Sequence, residues 1–102
     1  RLRKSIGPFN YHPKPANDGV DREMRPLKTY PNGDQYLGEW NKTTDERDGK
    51  CVMIYIGTYG DLFEGYFKND KPNGRGRIIY SFGVVYEGEL KDDNANGYGV
   101  WT

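Results

Sequence analysis

The feature that most restricts the fold is a five-residue pattern that occurs three times: an aromatic, any residue, glycine, any residue, a large apolar residue. It reads Tyr36-Leu37-Gly38-Glu39-Trp40, Phe63-Glu64-Gly65-Tyr66-Phe67 and Tyr86-Glu87-Gly88-Glu89-Leu90. Each copy is followed by a polar stretch and a second signature, Asp48-Gly49-Lys50-Cys51, Asn73-Gly74-Arg75-Gly76 and Asn96-Gly97-Tyr98-Gly99. A third signature precedes the first and last copies, Tyr30-Pro31-Asn32-Gly33 and Tyr80-Ser81-Phe82-Gly83, while Gly60-Asp61-Leu62-Phe63 stands before the middle one. Self-similarity at this period is the mark of a repeat architecture, in which no unit buries its apolar face alone.

In a strand, residues two apart share a face. Tyr36, Gly38 and Trp40 therefore point one way and Leu37 and Glu39 the other; the same holds for Phe63, Gly65, Phe67 and for Tyr86, Gly88, Leu90. The glycine leaves a gap between two large side chains, which a ring from the adjacent unit is expected to fill. The Asn-Gly and Asp-Gly pairs suit positive φ and are expected at turns. The return strands put Met53 with Tyr55, Ile78 with Tyr80, and Trp101 two residues after Gly99. The fold class expected is all-β: a single-layer twisted ribbon of about three antiparallel hairpins with an irregular N-terminal arm. Composition agrees, since 15% of the chain is aromatic and 14 residues are glycine while hydrophobic residues reach only 34%. That suits a thin aromatic-faced sheet better than a deep aliphatic core.

Residues 1–28 lack the period. Pro8, Pro13, Pro15 and Pro26 exclude a regular helix there. The chain divides into an extended basic arm, 1–28, and a hairpin array, 29–102. The arm holds seven bases against three acids and the array eight against twelve, so a +4 tail precedes a −4 body. Such a tail suggests docking to an acidic surface, the chain's own body included. Phe9 and Tyr11 give it apolar anchors.

The pattern resembles the MORN repeat (membrane occupation and recognition nexus), whose unit runs Tyr-x-Gly-x-Trp, a polar turn, Gly-x-Gly, then Tyr-x-x-Gly-x-x-Tyr. The resemblance covers about residues 29–102 and is best from Phe63 onward. Cys51 departs from it by replacing the second glycine of the first unit, and Leu90 by replacing an aromatic. Extra residues between Asp45 and Asp61 predict a longer or bulged first hairpin. The last unit reaches Thr102 before its closing glycine, which leaves an edge exposed or implies further chain. The resemblance implies a binding or scaffolding module, with anionic phospholipid among the ligands linked to the family.

Catalytic readings are weak. His12 is the lone histidine, between Tyr11 and Pro13, where a solvated ring is the ordinary outcome. Cys51 is the lone cysteine, which excludes an intrachain disulfide and, without a base beside it, a nucleophile. Asp45-Glu46 and Asp92-Asp93 read as solvated turn charge and do not supply a calcium loop. Gly74-Arg75-Gly76 and Gly97-Tyr98-Gly99 lack the Lys-Ser/Thr ending and the helix of a phosphate loop. No catalytic residue, metal or cofactor is expected.

The expected function is a non-enzymatic scaffold or accessory subunit docking within a larger assembly, ciliary or cytoskeletal in setting. Tyr36, Trp40, Phe63, Phe67 and Tyr86 are the candidate protein contacts in the array, with Phe9 and Tyr11 in the arm. The alternative is an adaptor that binds phosphoinositide or another anionic lipid through Lys68, Lys71, Arg75 and Arg77, bases worth about 1 kcal/mol each at such a surface. Nucleic acid is not expected, given the acidic array. No apolar run reaches membrane-span length. A start at Arg1 suits a fragment, a processed form or an incomplete start alike, and the processed form leaves a mitochondrial assembly open as an alternative compartment.

Overall fold

The computed structural model describes residues 7–11, 17–56, 61–91 and 94–102, with the side chains of 94–98 left aside. Among these residues there is no α-helix. The strands are β1 (Arg22–Met24), β2 (Lys28–Thr29), β3 (Gln35–Asn41), β4 (Arg47–Tyr55), β5 (Asp61–Lys68), β6 (Lys71–Ile79), β7 (Val85–Lys91) and β8 (Asn94–Trp101). From β3 onward they form one antiparallel meander in chain order, so the three units are three hairpins, β3–β4, β5–β6 and β7–β8. The all-β reading holds.

The sheet starts earlier than the sequence suggests. Arg22, Glu23 and Met24 pair with Asn41, Trp40 and Glu39, and Lys28 and Thr29 pair with Tyr36 and Gln35. Thus β1 and β2 make one broken outer strand along β3, and Pro26, which has no N–H to give a ladder, falls in the break. Pairing with the array begins at Arg22, ahead of the expected division at residue 29.

The Asx-Gly pairs are not at the hairpin tips. The tip of the second hairpin is Asn69-Asp70, with φ of 50° and 68°, the two left-handed residues of a tight hairpin turn. The Asn73-Gly74-Arg75 stretch instead stands opposite Tyr66 alone, because Gly65 pairs with Gly76 and Phe67 with Pro72. The first hairpin repeats the device, Asp48-Gly49-Lys50 opposite Glu39, and the third puts 96–98 opposite Glu89. Each return strand thus carries a bulge of two extra residues. The positive φ expected of these glycines is present, +111° at Gly49 and +89° at Gly74, but in a bulge. Bulges bend strands and increase twist, as a twisted ribbon requires. The radius of gyration is 13.2 Å, close to the roughly 13 Å of any compact chain this size. The expected twisted ribbon is therefore compact in outline. The first tip, Lys42 to Glu46, is longer than the second, as its extra residues require.

On the aromatic face, Tyr36, Cys51, Met53, Phe63, Phe67, Tyr86 and Leu90 form a buried cluster. The glycine gaps are filled from within the hairpin more than from its neighbour. A Cβ on Gly65 or Gly76 would press on the Phe63 ring, and one on Gly99 on the Tyr86 ring. Gly76 also meets a side chain of the next hairpin, Leu90. The aromatic that opens each unit therefore lies along its own strand, over the facing pair Gly65–Gly76 or Gly88–Gly99. In the first unit the pair is Gly38–Cys51. Where the opening residue is tyrosine, its hydroxyl donates across the bulge to the carbonyl three residues on: Tyr36 to Glu39 at 2.6 Å and Tyr86 to Glu89 at 2.7 Å.

Candidate protein-docking surface

The array residues singled out from the sequence are brought together, but as the core. Tyr36, Phe63, Phe67 and Tyr86 are buried and Trp40 is half-buried. Their rings meet edge to face, with centroids 5.3 Å apart for Tyr36–Trp40 and Tyr36–Phe67 and 5.6 Å for Phe63–Phe67. These contacts are worth about 0.5–1.5 kcal/mol each beyond burial, and they leave the four buried rings no surface for a partner. Burial drives the Tyr36 hydroxyl and the Cys51 thiol well above their ordinary pKa. A thiol kept neutral in this way is inert.

Two arginines close the aromatic face. Arg47 lies over Tyr30, Tyr36 and Phe67 at 5.4, 5.8 and 5.0 Å from the ring centroids. Its Nε donates to Asp70 Oδ1 and its Nη2 to the Asp70 carbonyl, which ties the first hairpin to the tip of the second. Arg25 covers Trp40 at 5.3 Å, while the indole N–H of Trp40 is buried without an acceptor among the described residues. Asp48, at the first bulge, reaches the same tip: it accepts from Arg22 Nε at 2.8 Å and from the Asn69 amide. The sequence reading missed Arg47 and Asp48, since both act across hairpins.

The open aromatic surface lies elsewhere, at the β8 edge. Phe82 is 75% and Trp101 57% exposed. Tyr80 stacks on Phe82 at 5.4 Å and on Trp101 at 6.0 Å, and Trp101 meets Tyr86 at 4.9 Å. Exposed Val100 adjoins them in sequence. Trp101 is open for a geometric reason. In the ladders between hairpins, Phe63 stands opposite Met53 and Tyr86 opposite Ile78, whereas among the described residues β8 pairs with β7 alone. Phe82 has no such reason. It occupies the turn 80–84, closed by the Tyr80 and Gly83 amides just as the turn 30–34 is closed by those of Tyr30 and Gly33. The first turn has Asn32 at the corresponding place. That exchange of asparagine for phenylalanine was the sequence signal for this surface.

Of the four bases considered for lipid, Lys68 and Lys71 are exposed and the two arginines are engaged within the sheet. Arg77 is 4% exposed and paired with Glu64, and Arg75 pairs with Glu87 at 3.2 Å. Lys68 lies 3.6 Å from Asp18, and Lys71 is exposed. Paired or buried as they are, Arg75 and Arg77 do not supply the surface charge that lipid binding needs. In the arm, Phe9 is 5% exposed and Tyr11 half-buried, both seated on the chain's own sheet. Among the described residues no three metal-ligating side chains converge. His12, Asp92 and Asp93 lie outside the described residues, as do Arg1, Arg3, Lys4 and Lys14.

No curated protein matches the chain. The MORN repeat family matches at residues 63–81 and 86–102, the second and third units of the array. The first unit, with Cys51 in the glycine slot and the longer tip, lies outside both matches. Residues 63–81 and 86–102, two of three hairpins of one design, are MORN repeats.

Proposed function

We propose that the chain is a non-enzymatic docking module, a scaffold or accessory subunit that takes a protein partner on Tyr80, Phe82 and Trp101. MORN repeats are in general protein- or membrane-interaction modules; the protein-binding reading is the one this surface supports. The observation that carries it is Phe82, a large ring 75% exposed in a turn whose counterpart holds asparagine. Folding does not require it, and an aromatic of this kind is the common anchor of an interface. The burial of Cys51 supports the non-catalytic reading, and the pairing of Arg75 and Arg77 weighs against a lipid ligand. The assembly proposed is ciliary or cytoskeletal.

The test is gentle native extraction, size exclusion and cross-linking mass spectrometry, repeated on Phe82→Ser/Trp101→Ser. Wild type should elute well above the 11.8 kDa of the chain, with cross-links to the same neighbours in each preparation. The variant should keep its circular dichroism and lose the complex, since two anchors at about 2 kcal/mol each weaken binding by roughly three orders of magnitude. Elution of wild type as a free monomer, or a complex indifferent to both substitutions, overturns the reading.

A further inference from the structure

The face opposite the aromatic core carries a second site, and the chain fills it itself. Arm residues 7–11 lie on this face, held by side chains that read their carbonyls. Arg77 Nη2 donates to the Gly7 carbonyl at 2.7 Å, Arg75 Nη2 to Asn10 at 3.3 Å, and Tyr66 Oη to Tyr11 at 2.8 Å. The two rings are read separately. Phe9 lies under the guanidinium groups of Arg75 and Arg77, 5.1 and 5.8 Å from its centroid. Tyr11 meets Lys50 Nζ at 4.5 Å, crosses Tyr66 edge to face at 5.8 Å, and donates its hydroxyl to the Cys51 carbonyl.

This is the construction of a recognition site. Its two arginines are held by the sheet without help from the arm, Arg77 by Glu64 and Arg75 by Glu87, so little of their order is lost when a segment lands. Carbonyls are common to every peptide, so what selects is a pair of aromatics spaced one residue apart, each beside a cation. The arm is not a complete match, for Arg75 Nε is buried with no acceptor among the described residues. We propose that Lys50, Tyr66, Arg75 and Arg77 form a binding site for an extended aromatic-x-aromatic segment of a partner protein, and that residues 7–11 are an intramolecular occupant that such a segment displaces. The tether sets the competition. At an effective concentration of order 1 mM and an intrinsic Kd of order 0.1 mM, the arm weakens an incoming segment roughly ten-fold.

The test uses the full chain with Phe9→Ala/Tyr11→Ala, which empties the site, and a labelled Gly-Pro-Phe-Asn-Tyr peptide read by fluorescence polarisation. The double variant should bind the peptide about ten-fold more tightly than wild type. A peptide with both rings changed to alanine should not bind, and adding Arg75→Ala to the double variant should abolish binding. If the double variant does not fold, amide spectra of the wild-type chain under excess peptide decide, with shifts expected at Tyr66 and Arg75. No binding to the folded double variant, equal binding of the ring-less peptide, or unshifted wild-type spectra at millimolar peptide overturns the proposal.

Discussion

Replacing Arg77 by methionine isolates the buried ion pair between the second hairpin's strands. Glu64 and Arg77 are cross-strand partners, with Arg77 Nε and Nη2 at 3.1 and 2.7 Å from Glu64 Oε1. Neither side chain is more than 5% exposed. Removing the guanidinium takes from the carboxylate its cross-strand counter-charge where water does not reach. Breaking a buried pair from one side costs about 3–5 kcal/mol, a large part of the roughly 5–15 kcal/mol that holds a domain folded. The first hairpin shows what the fold accepts instead, because Leu37 faces Val52 at the corresponding position. Glu64→Leu/Arg77→Met should therefore lie within about 1 kcal/mol of wild type. In urea, with a slope of about 1.5 kcal/mol per molar, Arg77→Met should lower the midpoint by about 2 M or more and the double variant by less than about 1 M. Tryptophan fluorescence and circular dichroism would follow the transition. Arg77 also holds the Gly7 carbonyl, so Glu64→Leu is needed to separate the pair from the arm. Single losses that add up in the double variant, with a coupling energy below about 0.5 kcal/mol, would refute the reasoning.

Further outcomes follow from individual contacts. Gly65→Ala puts a Cβ 2.7 Å from the Arg75 carbonyl oxygen and the Gly76 Cα, backbone that cannot step aside. It should cost about 2–3 kcal/mol, more than Gly74→Ala, which meets open space and strains only a φ of +89° at about 1–2 kcal/mol; paired thermal melts rank them. Arg47→Met uncovers Tyr30, Tyr36 and Phe67 and frees Asp70, lowering stability by about 1–2 kcal/mol in urea titrations. Cys51, 3% exposed, should resist thiol reagents in the native state and react at the rate of unfolding; prompt labelling contradicts its burial. The hydrogen bond from Arg22, then that from the Val20 amide, holds Asp18 well below the usual carboxylate range. Its folded pKa is the lower one, so its contribution is present above about pH 4, the unfolded value, and is lost as pH falls toward the folded one. Asp18→Asn should flatten that part of the acid-stability curve, and an unchanged curve would rule Asp18 out.

The strands and their pairing were legible because period two and three coincident signatures leave little freedom. The bulges were not, since an Asx-Gly pair asks for the same positive φ at a hairpin tip as in a bulge. What separates the two is register. A tip at Asn73-Gly74 would never bring Gly65 opposite Gly76, yet a Cβ at Gly65 would meet the facing backbone and one at Gly76 the Phe63 ring and Leu90. The need for glycine to face glycine was thus the missing criterion, and it moves the tip to Asn69-Asp70. The first unit meets the same need less strictly, with Cys51 against Gly38.

The arm shows where charge arithmetic misleads. A basic tail on an acidic body suggests attraction between opposite charges, but described residues 7–11 carry none and rest beside Lys50, Arg75 and Arg77. What the cations meet is carbonyl oxygen and the faces of two rings, acceptors that a count of Asp and Glu omits. Net charge is a property of a whole segment, whereas recognition on this sheet depends on which side-chain donors the strand alternation brings to one face. Arg75, Arg77 and Tyr66 share that face because they alternate with Gly76 and Gly65 on neighbouring strands. The glycines that close the aromatic core on one side thereby fix the donors that hold the arm on the other.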